Sequence, residues 1–295
     1  MKEERKVSPM PFSKDPTRYL NNCPNRAVYA YHLFGEGIEI GALAWPLSLP
    51  RSVRCRYVDV FPTEELKEIY KECRDLIVPV DILDDGQTLN TFAQESQDFI
   101  IANHVLEHVI NVIQSVRRWY EVLKPNGILY LSVPDWRFTA DQVRRRTPLA
   151  HLLKEFQENL AEIPDDHCIE NLIAWNGVCR EKIDAAMIEK CRRDGVHNHC
   201  WQGDDLIELF SHLYREQICK FQLADVSLPK GLFNEFIFIL RKDPAGEDFW
   251  TPYGQSKYNQ EKEIERRILS LLTREEAGEG FKAPTGKIKQ GEGEP

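Results

Sequence analysis

Two carboxylates define the chemistry open to this chain. The run Gly37-Ile38-Glu39-Ile40-Gly41-Ala42 is apolar and closes on an acid and a glycine. A second run, Arg56-Tyr57-Val58-Asp59-Val60, also ends in an acid. Asp59 follows Glu39 at the roughly 20-residue separation where nucleotide-binding α/β folds place a ribose-holding carboxylate. In such folds a glycine lets backbone approach the ligand, while the carboxylates accept hydrogen bonds from its polar groups. Asp81 with Ile82 closes a third apolar run, and Asn103-His104 closes a fourth. Glu39, Gly41, Asp59, Asp81, Ile82, Asn103 and His104 are therefore the candidate cofactor-binding set.

A second group of residues could move protons. His104 and His108 are four apart and share a face if helix has begun by then, and an imidazole titrating near neutrality can act as a base. The competing role for either is a capping or core histidine. Asp135, just past a fifth apolar run, is a further proton acceptor, and Arg137 can anchor an anionic or hydroxyl-rich group. The alternative is a structural Arg–Asp pair. His197 and His199 alternate as on a strand, and with His167, His151 and nearby acids could hold a divalent metal that lowers a hydroxyl pKa. Two histidines without a third ligand fixed by spacing do not specify a metal, so no metal is assigned.

These residues need a scaffold that brings strand ends together. Strand-like runs at 37–42, 56–60, 76–82, 97–104 and 128–134 alternate with helical patterns, notably Thr63-Glu64-Glu65-Leu66, with Thr63 as N-cap, and Val112 to Leu123. Lys124-Pro125-Asn126-Gly127 stops the latter helix. This order predicts a parallel sheet with the polar residues at its carboxyl edge. Residues 136–202 break the alternation with helix-prone segments at 148–163 and 181–193, and read as an insertion or lid. A capped helix from Gly203 and two strands near 218–226 and 233–240 follow, joined by a short Pro229-Lys230-Gly231 turn that predicts an antiparallel hairpin. The resulting division is an irregular lead-in at 1–29, a body at 30–241, an extension at 242–274 and a disordered tail at 275–295. Ile264, Ile268, Leu271 and Leu272 mark an amphipathic helix at 255–273 that can dock on the body, a protein partner or a second copy.

Bulk composition narrows the function classes. Of 295 residues, 42% are hydrophobic, enough for a large core. A net charge of −9 argues against general nucleic-acid binding, which relies on a basic surface. No apolar run is long enough for a membrane span, and the eight cysteines lack C-x-x-C spacing, so a cytoplasmic protein with reduced thiols is expected.

Over roughly residues 30–240 the chain resembles class I S-adenosylmethionine-dependent methyltransferases. The resemblance rests on the Glu39-Ile40-Gly41 turn, on Asp59, on Asp81-Ile82, on Asn103-His104-Val105-Leu106-Glu107-His108-Val109 and on Val122-Leu123-Lys124-Pro125-Asn126-Gly127. It implies a Rossmann-like α/β sheet, mostly parallel with the last strand antiparallel, and S-adenosylmethionine as cofactor. Asp59 would hold the ribose and Asp81 would lie beside the adenine. Pro134-Asp135-Trp136-Arg137, Arg144-Arg145-Arg146 and His197-Asn198-His199-Cys200-Trp201 further resemble an uncharacterised bacterial subgroup associated with glycan biosynthesis, which implies a small-molecule or glycan-linked acceptor. The turn Gly41-Ala42-Leu43-Ala44 departs from the family's glycine-rich loop, which leaves a catalytically silent scaffold as the alternative. A nicotinamide-dependent oxidoreductase ranks last, because G-x-G-x-x-G is missing.

Overall fold

The computed structural model of the chain describes residues 23–229, 234–243 and 248–276. Most of the expected lead-in and nearly all of the expected tail lie outside the described residues, as does most of the Pro229-Lys230-Gly231 turn.

Among the described residues seven strands form one sheet in the order β3-β2-β1-β4-β5-β7-β6. They are β1 (Glu36–Ile40), β2 (Arg54–Asp59), β3 (Ile82–Leu83), β4 (Gln97–Asn103), β5 (Leu123–Pro134), β6 (Phe221–Ser227) and β7 (Glu235–Lys242). The pairings among β1 to β5 are parallel, and β7 lies antiparallel between β5 and β6. The helices are α1 (Cys23–Tyr29), α2 (Thr63–Ile69), α3 (Val112–Val122), α4 (Leu149–Gln157), α5 (Asp165–Asn176), α6 (Ala185–Asp194), α7 (Gly203–Arg215) and α8 (Pro252–Glu276). Among the described residues no helix is long and apolar enough to cross a membrane.

Strand alternation sorts the core into two layers. Ile38, Ile40, Ile100, Ala102, Leu129 and Leu131 face Trp119 of α3 and Leu206 and Phe210 of α7. Phe99, Ile101, Tyr130, Ile237 and Ile239 face the opposite way, against Tyr29, Leu33 and Leu47. Each fully buried large apolar side chain contributes about 1.5–3 kcal/mol. Asn111 caps α3 by accepting from Gln114 N at 3.1 Å, a cap that stabilises such a helix by about 1 kcal/mol. After α3, residues 124–127 bulge out of the ladder between the Gln97–Leu123 and Phe99–Ile128 pairs, and Asn126 turns the chain with φ of +64°.

The expected third strand is much reduced. Val78 N donates to Leu43 O, and Val80 N donates to the Thr63 hydroxyl, so the donors of this stretch serve the loop after β1 and helix α2 rather than a ladder. Thr63 is correspondingly inside α2, with Pro62 at the N-cap position. The segment between β5 and α7 carries α4, α5 and α6 around a small core of Cys168, Leu172, Cys191 and Val196. Helix α5 was not foreseen, because its first turn and outer face are polar.

Helix α8 docks on the chain's own body. Glu261 is buried and accepts from Leu228 N at 3.1 Å, and Gly254 lies so close to β6 that an added Cβ would meet Leu223 O at 2.1 Å.

Candidate functional site

The carboxyl edge of the sheet gathers most of the predicted binding set. Glu39, at the end of β1, is 1% exposed. Its carboxylate accepts from Leu47 N at 3.0 and 3.1 Å and from Asn103 Nδ2 at 3.1 Å. It thereby ties the loop after β1 to the end of β4. Burial outweighs these bonds and pushes its pKa up to about 7. Gly41 has φ of +62°, and the nearest atom to a built Cβ is Val105 Cγ2 at 3.9 Å, so its constraint is backbone conformation rather than crowding. Asp59 ends β2 half-buried and accepts from Phe61 N at 3.1 Å, with its pKa raised by burial.

Asp81 is not at a strand end. It precedes β3, is exposed, and accepts from Tyr57 N at 2.8 Å along the sheet edge. Ile82 begins β3 and packs against the main core. The acids that follow β3 are Asp84 and Asp85. Asp84 closes the loop by accepting from Asp85 N, Asn90 N, Thr91 N and the Thr91 hydroxyl. Asp85 accepts from Gln87 N at 2.8 Å. Gly86 then passes so near β1 that a Cβ would meet Ile40 Cγ2 at 2.4 Å. The signal for these residues was the acid pair followed by glycine, which the apolar run before it obscured.

Beyond β4 the chain turns sharply at His104, a non-glycine residue with φ of +53°. Such conformations cost about 1–2 kcal/mol and concentrate at functional sites. His104 Nε2 lies 2.8 Å from Glu235 Oε2. Burial alone would raise the Glu235 pKa, but Arg26 and His104 outweigh it and hold the group well below the usual carboxylate range. An ionised Glu235 only accepts, so the Nε2 of His104 carries the hydrogen and Nδ1 keeps its lone pair. Burial lowers the His104 pKa, although its side chain retains 37% exposure.

Glu107, which sequence reasoning did not single out, is 1% exposed, and neither carboxylate oxygen has a hydrogen-bond partner among the described residues. Its Oε1 lies 4.0 Å from His104 Nδ1 and 3.9 Å from His108 Nε2. Burial raises its pKa to about 7. His108 bonds Val196 O through Nδ1 at 2.9 Å, and burial, reinforced by His197, lowers its pKa to about 3. His197 is oriented by Asp141 at 2.7 Å. Burial opposes ionisation of Asp141, but His197 and Arg144 prevail and bring its pKa to about 2.

Asp135 and Arg137 take the structural alternative. Asp135 is fully buried and accepts from Arg137 N, Nε and Nη2 at 2.9, 2.9 and 2.7 Å. Arg137 Nη2 also meets Glu265 Oε1 of α8 at 2.5 Å. A carboxylate buried and committed in this way cannot receive a substrate proton, and its arginine is not free to anchor an acceptor. Of the weak metal candidates, His197 goes to Asp141, whereas His167 and His199 meet His151 and Glu155.

Residues 58–174 match a family described as a methyltransferase domain. These residues are similar to a methyltransferase domain, and such a domain implies S-adenosylmethionine as methyl donor. The matched region includes Asp59, Asp84, Asp85, Asn103, His104 and Glu107 and ends before His197. No curated protein matches the chain.

Three solved structures are similar in fold. A SAM-dependent methyltransferase from Thermotoga maritima, a possible histamine N-methyltransferase, shares 17% identity over 76% of this chain and 89% of its own, with a TM-score of 0.41. A putative Zn-dependent alcohol dehydrogenase from Rhodobacter sphaeroides shares 18% over 77% and 90%, with a TM-score of 0.46. The CurJ carbon methyltransferase shares 15% over 72% of this chain, with a TM-score of 0.38, and the chain spans 49% of its length. At this level of likeness none of them indicates what the methyltransferase domain acts on.

The strand ends fit the donor: a Cβ on Gly41 would make only one ordinary contact, Asp59 offers a half-buried carboxylate, and Asn103 Oδ1 is buried without a hydrogen-bond partner among the described residues.

Proposed function

We propose that the chain transfers a methyl group from S-adenosylmethionine to an oxygen or nitrogen of a small-molecule or glycan-linked acceptor. The observation that carries this reading is the His104–Glu235 pair, an imidazole fixed by an ionised carboxylate at the end of β4 with its other nitrogen free of hydrogen-bond partners among the described residues.

When bound, the donor supplies an electrophilic methyl group on a sulfonium. The protein must align the acceptor with it and remove a proton from a hydroxyl or amine. Asp59 would accept from the ribose hydroxyls, Gly41 would give the methionine end close backbone, and Glu39 with Asn103 would shape the same end. Asp85 would take the adenine side. His104 Nδ1 accepts the proton of the acceptor, and Glu235 holds the ring and stabilises the imidazolium that results. Glu107 lies 4.0 Å from the same nitrogen and adds a second titratable group. The division into a body at 30–241 with a lid at 136–202 agrees with the separate small core around Cys168 and Leu172.

The experiment is a panel of hydroxyl and amine acceptors, polyols and sugars included, assayed for S-adenosylhomocysteine release. Turnover with one class, lost in His104→Gln while donor binding persists, is the expected result. Turnover unaffected by His104→Gln contradicts the assigned base.

A further inference from the structure

Four side chains from three separate parts of the chain converge within the segment between β5 and α7. His151 and Glu155 stand one turn apart on α4, His167 comes from α5, and His199 comes from the segment before α7. All three histidines present Nε2. His151 Nε2 lies 3.1 Å from His167 Nε2 and 2.9 Å from Glu155 Oε1. His167 Nε2 is 3.5 Å from Glu155 Oε1, and His199 Nε2 is 3.0 Å from Glu155 Oε2. All four candidate donor atoms lie within 4.8 Å of one another.

This spacing is that of a coordination shell. Ligands about 2.0–2.1 Å from a tetrahedral metal sit about 3.3 Å apart, and the short separations here fall on both sides of that value. Three imidazoles and one carboxylate suit a borderline first-row divalent ion and do not suit calcium or magnesium, which take oxygen shells. Three of the four residues are nearly inaccessible, Glu155 at 5%, His167 at 4% and His199 at 0%. His151, with 34% side-chain exposure, leaves an entry path.

We propose that His151, Glu155, His167 and His199 bind one divalent metal ion of the zinc class. Four protein ligands close the shell, which is the arrangement of structural rather than catalytic sites. The ion pins α4 and α5 to the segment that also carries Asn198. Asn198 N and His199 N in turn bond Glu107 O at 2.7 and 3.2 Å, so the metal fixes the lid against the chain that follows β4. The four ligands share no residue with the donor-binding set, so metal content and donor binding can be read independently.

The test uses tag-free, full-length protein. Metal content is measured as purified, and again after chelation and titration with cobalt(II), whose visible ligand-field bands report tetrahedral coordination. The expected result is one ion per chain, tetrahedral cobalt bands, and a thermal midpoint lowered by roughly 5–10 °C on chelation. His151→Gln, the most accessible ligand, should remove the bands while the chain stays folded. No metal as purified together with no cobalt bands overturns the proposal. Stoichiometric metal that is indifferent to His151→Gln also overturns it, since the ion then sits elsewhere.

Discussion

His104 and Glu235 are 131 residues apart in sequence yet joined at 2.8 Å, because β7 inserts antiparallel beside β5 and brings its first residue against the end of β4. Glu235 also receives Arg26 at 2.6 Å and Ser132 at 2.5 Å. The imidazole is therefore held by a carboxylate that is itself fully committed, which is the support that a positioned base requires.

His104→Gln should lower kcat by about 10²- to 10⁴-fold while leaving donor affinity within a factor of two or so. Glu235→Gln should lower kcat less and shift the pH profile, since it acts through the ring. Because burial lowers the His104 pKa, the base form prevails above pH 6.5, and activity falls only as pH drops below that. Steady-state pH profiles of the two variants check this.

Glu107 makes stability depend on pH in an unusual direction. Its pKa rises from 4.5 to about 7 on folding, so between those values the folded state holds the extra proton and stability falls as pH rises. Glu107→Gln should abolish that loss, stabilising the protein above pH 7 by up to about 3 kcal/mol. Thermal unfolding of both proteins at pH 5 and pH 8 measures it. A variant less stable at both pH values contradicts the assignment.

Arg137→Met should destabilise by about 3–5 kcal/mol, because Asp135 would be left buried and unpaired. Residual activity should show an unchanged KM for the acceptor. Denaturant titration and steady-state kinetics together separate this outcome from a role in acceptor binding, which would raise KM without such a loss of stability.

Much of this arrangement was legible in the sequence. The runs at 37–42, 56–60 and 97–104 contain the ends of β1, β2 and β4, because apolar residues flanked by helical patterns allow little else. The third strand was overread, since Val78 and Val80 look β-prone but bond to Leu43 and to Thr63 of α2 and leave Asp81 before the strand. That error displaced attention from Asp84 and Asp85. Glu107 was passed over because a lone glutamate beside two histidines has no local mark of burial. Asp135 and Arg137 could be read as base and anchor or as a structural pair, and the burial of Asp135 together with Glu265 of α8 on Arg137 favours the pair. The histidine cluster had one local signal, His151 and Glu155 at helical spacing, and its other members join only through tertiary packing.

Gly41→Ala should cost about 1–2 kcal/mol of stability, the price of a left-handed conformation, with no steric clash. Larger residues at the same position should weaken donor binding progressively as they fill the space beside Val105. Calorimetry on Ala, Val and Leu variants would show the trend.

The most direct measurement is calorimetric titration of the full-length chain with S-adenosylmethionine and, separately, with NAD, on the unmodified protein and on Asp59→Ala. Micromolar binding of S-adenosylmethionine alone, abolished in the variant, is the predicted result. Binding of NAD in its place, or S-adenosylmethionine binding that survives loss of the Asp59 carboxylate, would contradict the account.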